Sequence, residues 1–127
     1  MFGRELEEFQ KKAMENTDKT IRGIKLSLFK AVIYDTPVLS GRLRGNWQTS
    51  TGSPKRGLVQ RRFGPKAFSE AAQKAGGLGD VTYLTNNLPY AEKIENGRSS
   101  KAPEGMLRRN FAKIQRIVQA EARKNNR

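Results

Sequence analysis

The residue types that most often perform acid–base, nucleophilic or metal chemistry are sparse in this sequence. It holds no histidine and no cysteine, so the commonest general base and metal ligand is missing. No thiolate nucleophile, thiolate metal site or disulfide can form either. Of the twelve carboxylates, six are interleaved with basic residues between positions 1 and 36, and none forms the isolated pair that divides acid and base roles. Ser99-Ser100-Lys101 comes nearest to a Ser–Lys nucleophile, but beside glycine and proline it reads as a loop. Gly76-Gly77-Leu78-Gly79 lacks the Lys-Ser/Thr that would complete a phosphate cradle and reads as a turn. No Asp-x-Asp-x-Asp cluster offers an all-oxygen metal site. The expectation is therefore no catalytic residue, no cofactor and no metal, with a carboxylate-and-magnesium nuclease as the weakest of the readings carried forward.

What the sequence does supply is positive charge. Twenty-five Lys and Arg face twelve Asp and Glu, a formal net charge of +13. The excess is uneven: residues 1–36 are nearly balanced, residues 37–79 hold eight basic residues against one acid, and residues 80–127 hold ten against five. Residues 52–66 contain three glycines, two prolines and five basic residues without an acid, the composition of an exposed loop or loose hairpin arm. Within this arm of residues 53–66, Arg56, Arg61, Arg62 and Lys66 are the candidates for anionic contacts. Leu58, Val59 and Phe63 are the candidates for apolar contact with a neighbour. A second basic cluster, Arg108, Arg109, Lys113 and Arg116, is expected on the polar side of the last helix. Such surfaces either track phosphates without sequence preference or meet acidic neighbours. The second reading leads, because Phe63 is the only aromatic in the arm that could stack a base.

These surfaces need elements to position them. Leu6, Phe9, Ala13, Thr17, Ile21, Ile24, Leu28 and Val32 follow one another at steps of three or four, one stripe of a long amphipathic helix. Asp35-Thr36-Pro37 stops it, since the residue before proline is pushed from helical dihedrals. About 30 residues of helix is long for so small a chain, so its outer end either belongs to an ordinary core helix or reaches past its own domain toward a neighbour. Residues 42–51 alternate, with Leu43, Trp47, Thr49 and Thr51 on one side and Arg42, Arg44, Asn46 and Gln48 on the other. That pattern predicts a half-buried strand with Trp47 packed on the long helix. A short helix is expected around Lys66–Ala75, a second strand over Val81–Thr85, and one or two helical turns from Pro89 to Gly97. A terminal helix opens near Pro103, with Glu104 in its first turn, and presents Leu107, Phe111, Ile114, Val118 and Ala122 as its apolar stripe. The whole reads as one α+β domain over residues 1–127, with a long N-terminal helix (1–36) and a C-terminal helix (103–124) packed on a small antiparallel sheet that carries the basic insertion.

At 127 residues, with 35% hydrophobic residues and a mean hydropathy of −0.76, the chain has material for one modest core. A charge surplus this large repels itself unless anions or neighbouring subunits absorb it. The start of the sequence has no continuous apolar segment of the secretory kind, and no window approaches the roughly 18 apolar residues of a membrane span. The expectation is a soluble protein made in the cytoplasm.

Three segments carry a resemblance. Asp35-Thr36-Pro37-Val38-Leu39-Ser40-Gly41-Arg42-Leu43-Arg44, Asn87-Leu88-Pro89-Tyr90-Ala91-Glu92-Lys93-Ile94-Glu95-Asn96-Gly97 and Ala102-Pro103-Glu104-Gly105-Met106-Leu107-Arg108 resemble, in this order and spacing, the head–tail joining and tail-completion family of tailed phages (lambdoid tail-component or minor tail protein Z-like). The resemblance implies a non-enzymatic virion protein of the phage neck or tail top. Its partners would be copies of itself in a ring, commonly hexameric, together with the head connector or adaptor and the tail terminator or tube proteins, with genomic DNA in the lumen as a further contact and no membrane. It also implies that the arm makes inter-subunit or lumen contacts, although the arm is longer and more basic than the pattern requires. The alternative is a small basic protein that binds nucleic acid without sequence preference.

Overall fold

The structure, a computed structural model, describes residues 2–38, 40–97 and 105–125. The expected loop at Ser99-Ser100-Lys101, the helix start at Pro103 and Glu104, and the chain end at Asn126-Arg127 lie outside these residues. The elements are α1 (Phe2–Asp35), α2 (Arg42–Gly45), β1 (Gln48–Thr51), α3 (Pro65–Lys74), β2 (Thr82–Thr85), α4 (Ala91–Glu95), α5 (Leu107–Phe111) and α6 (Ile114–Asn125). The fold is α+β: one antiparallel pair, with Gln48 opposite Thr85 and Thr51 opposite Thr82, and helices around it. Helix α6 lies along α1, and α3 packs against β1 and α1. Ala67 and Ala71 form the buried side of α3, so small side chains let that helix approach the sheet closely.

The core gathers where α1 ends. Val32, Ile33, Leu43, Trp47, Ala67, Leu88, Ala91 and Met106 form one buried cluster, with Phe68, Leu84, Ile94 and Leu107 packed against it. Thr36, 1% exposed, donates its hydroxyl to the Val32 carbonyl at 2.7 Å and accepts the Trp47 indole N–H at 2.8 Å. A buried indole needs such an acceptor. Arg44 donates to the carbonyls of Tyr34 and Thr36 at 2.7 and 2.8 Å, satisfying and electrostatically complementing the C-terminal end of α1.

Two elements differ from the sequence expectation. The predicted strand over 42–51 is a helical turn followed by a strand of only four residues. Leu43 and Trp47 are four apart, which satisfies both an alternating strand and one helical turn, so their burial cannot separate the two. The glycines decide. Gly41 sits at φ 81, which reverses the chain into α2, and a Cβ on Gly45 would fall on the Arg61 carbonyl. Asn46 and Gln48, expected on the solvent side, are buried and bonded to the arm. The terminal helix is pinched at Ala112-Lys113, where Lys113 N–H bonds Asn110 in an i→i−3 step. Its expected stripe divides: Leu107 packs against the core and Ala122 is half-buried, but Phe111, Ile114 and Val118 are exposed, while Lys113, Ile117 and Glu121 are half-buried. Glu121 explains the rotation, since its carboxylate accepts the Ser27 hydroxyl at 3.0 Å and lies against Gly23.

The stripe on α1 divides. Ile21, Ile24 and Leu28 are half-buried and Val32 is buried, but every residue from 3 to 15 is exposed, including Leu6 at 50% and Phe9 at 70%. The outer end of α1 thus runs about 20 Å beyond the domain, at about 1.5 Å of rise per residue. Val32→Ala should lower the unfolding free energy in urea by about 2 kcal/mol. Leu6→Ala, on the same stripe, should change that of the dilute chain by no more than about 0.5 kcal/mol; equal losses would mean that the outer end is covered within the chain.

Candidate functional site

The arm leaves β1 at Gly52 and returns to the domain at Gly64, where Pro65 opens α3. It contains no strand, so the loose hairpin is replaced by irregular backbone, and Lys66 belongs to a helix rather than to the arm. Side chains of the domain fasten it. Asn46 accepts the Val59 N–H at 3.0 Å, Gln48 donates to the Gly57 carbonyl at 3.0 Å, and Asn87 donates to the carbonyls of Lys55 and Gly57. Arg61 is the main pin: it donates to the carbonyls of Gly45 and Trp47 at 2.9 Å each and to the Glu70 carboxylate at 3.2 Å. The other Glu70 oxygen accepts the Thr49 N–H at 2.8 Å, which closes the open edge of β1. Burial opposes the charge on Glu70, but the Thr49 N–H and the Arg61 guanidinium, with Lys74 nearby, outweigh it and hold the carboxyl below its ordinary range.

Arg61 is therefore structural, whereas Arg56, Arg62 and Lys66 are exposed. Arg42, Gln60, Arg61 and Arg62 line an open groove of about 570 Å³, a cationic trough that suits a carboxylate or phosphate in charge. Leu58 and Phe63 are about half exposed and Val59 is half-buried. Phe63 is the only described residue other than glycine with a left-handed backbone, φ 60, and its N–H bonds the Gly41 carbonyl at 2.7 Å. That strain is held in place by the Gly41 turn.

The second predicted cluster is not one face. Arg108 turns back to Glu95, reaching its carboxylate at 3.4 Å and its carbonyl at 2.5 Å. Arg109 leans toward Asp35 at 3.8 Å. Lys113 is half-buried against α1, and Arg116 alone of the four is exposed without an acidic partner among the described residues. Glu95 shows why Arg108 is drawn inward. Its carboxylate accepts the N–H groups of Met106 and Leu107 at 2.7 Å each and of Arg108 at 3.1 Å, capping the terminal helix across the chain. Burial opposes its charge, but the N–H groups of Leu107, Met106 and Arg108 and the Arg108 side chain hold it below the ordinary value. Tyr90 is exposed, while Leu88 and Ala91 on either side of it are buried.

Sequence reasoning missed Glu70 and Glu95, whose partners are distant in the chain and leave no local spacing to read. The glycine turn at 76–79 is a turn as expected, held by α1: Asp18 accepts the Leu78 N–H at 2.8 Å and Lys25 donates to the Asp80 carbonyl at 2.7 Å. Among the described residues no group of acids is placed to hold a metal ion, and no helix is long and apolar enough to cross a membrane. No family model, curated protein or solved structure matches the chain.

Because Glu70 and Glu95 fold with pKa values below their ordinary 4.5, the stability they contribute is complete above that value and disappears as pH falls through the folded values. The thermal midpoint should hold between about pH 7 and 5 and fall steeply below about pH 4.5. The double variant Glu70→Gln/Glu95→Gln should begin lower, each site costing about 1–3 kcal/mol, and should fall less steeply in acid. An unchanged slope would place the acid sensitivity elsewhere.

Proposed function

We propose that the chain is a ring-forming structural subunit of a tailed-phage neck or tail top, which joins the head connector to the tail and performs no catalysis. It would assemble in the host cytoplasm and remain in the virion. The observation that carries this reading is the outer end of α1, where a stripe that is buried at one end continues, uncovered by any described residue, beyond the domain. A helix of that length gains little from propensity alone and is completed by packing. The family-like segments lend further support, since they meet in space: Glu95 caps Met106 to Arg108, and Leu43, Leu88, Ala91 and Met106 share the core. They are the joints of one fold.

The second reading, sequence-independent binding of nucleic acid, is favoured by the cationic trough beside Arg42 and Arg62. It predicts binding to arbitrary duplex at low salt that collapses at moderate salt, with a shallower salt slope in Arg62→Ala. Ring assembly predicts a defined multiple of the 14.3 kDa chain by light scattering and closed rings by electron microscopy, alone or with connector and tail proteins. A monomer at every concentration, with no ring in any such mixture, would overturn it.

A further inference from the structure

Two apolar stripes on this chain are uncovered by any described residue, one on a nearly charge-balanced tip with its acids outermost and one on a basic helix pair. On α1 they are Leu6, Phe9 and Ala13; on the terminal helix, Phe111, Ile114 and Val118. Each set advances by three and then four residues; Leu6, Phe9 and Ala13 share one helix ridge, whereas Phe111 ends α5 and Ile114 and Val118 lie on α6 beyond the break. Leu6 and Phe9 are 50% and 70% exposed, and Phe111, Ile114 and Val118 are 53%, 38% and 39% exposed. Over the exposed residues 3–15, Glu5, Glu7, Glu8 and Glu15 stand against Arg4, Lys11 and Lys12, a near balance in which the acids gather at the outermost turns. Residues 105–125 carry six basic residues against Glu121 alone.

The tip cannot satisfy the stripe of its own chain. Helix α6 runs antiparallel along α1, with Asn110 at Asp35 and Glu121 at Ser27. The exposed residues 3–15 therefore lie past the end of α6, and only breaking α1 would bring them to Ile114. Pairing tip to tip in parallel would set the three glutamates of one copy against those of another, and in either direction it would leave Phe111, Ile114 and Val118 uncovered. We infer that the occupant of the Phe111–Ile114–Val118 face is the N-terminal tip of α1 from a second copy of this chain, Phe9 packing against that face with the glutamates toward the basic flank. The contact is heterologous, so each subunit offers one tip and one face. This inference rests on the proposed assembly and names the surfaces that make it.

The test is complementation between two broken copies of the full chain, read by size-exclusion chromatography with light scattering. Phe9→Glu spoils the tip and Val118→Glu spoils the face; both positions are exposed, so circular dichroism and the dilute thermal midpoint should stay those of the wild type. Each variant alone should associate roughly tenfold more weakly or worse and elute as monomer where the wild type is oligomeric. Their equal mixture should stop at a heterodimer of twice 14.3 kDa, because only one intact tip and one intact face remain. Variants that still form the wild-type oligomer, or a mixture that stays monomeric, would overturn the docking and leave ring assembly standing. A wild-type chain that is monomeric alone and with connector and tail proteins would remove both.

Discussion

The Thr36 hydroxyl stands between the end of the long helix and the start of the sheet, taking the Trp47 indole N–H while giving its own proton to the Val32 carbonyl. With Arg44 on the neighbouring carbonyls, it fixes where α1 ends and how the chain turns back, and the remaining elements pack around that corner. Trp47 and Ile33 form the floor, Ala67 of α3 and Ala91 of α4 reach it from elsewhere, and Met106 closes it from the start of the terminal helix. Losing the hydroxyl would leave a buried indole donor without its partner, an omission costing about 1–3 kcal/mol.

A core of this size leaves the periphery to polar fasteners. Glu70 and Glu95 each receive backbone N–H groups and an arginine, and each joins parts that share little apolar contact: Glu70 the sheet edge, the arm and α3, Glu95 the short helix α4 and the terminal helix. Such partly buried carboxylates are stable only when their lone pairs are filled, and here they are. Asp18 and Asp35 serve α1 in the same way. Several of the scarce acids are therefore spent inside the fold. Among the described residues Arg56 and Arg62 on the arm and Arg116 on α6 consequently have no acidic partner, and they add to the outward positive field.

The elements that periodicity alone defines were readable in the amino-acid order: α1, the strand at 82–85, the turns around Ala91 to Glu95 and the break before Pro37. Gly97, where the expected helical turns end, has a left-handed backbone at φ 82. Where the pattern misled, two periods coincided or one contact outvoted the stripe. Leu43 and Trp47 fit both a strand and a helical turn, and Glu121, reaching Ser27, turned α6 so that Phe111, Ile114 and Val118 face outward. Composition marked the arm as irregular and exposed, and much of it is. Composition could not show that Arg61 is pinned while Arg62 is not, because that difference depends on Glu70 arriving from another helix.

The corner at Thr36 also bears on assembly. A heterologous contact repeated from copy to copy closes into a ring only if its rotation divides a full turn, and otherwise grows as a helix. On the proposed docking, that rotation is the angle between the projecting tip of α1 and the face on α5 and α6 of the same subunit. Both belong to elements clamped at the corner, α1 through Thr36 and Arg44, the terminal helix through Asp35, Asn110 and Glu95. The tip, about 20 Å of helix, acts as a lever, so a small tilt at the clamp becomes a displacement of several ångströms at Phe9. On that proposed docking the polar pins near the core would have a second consequence beyond stability: they would limit the spread of that angle, and with it the number of copies over which a ring could close.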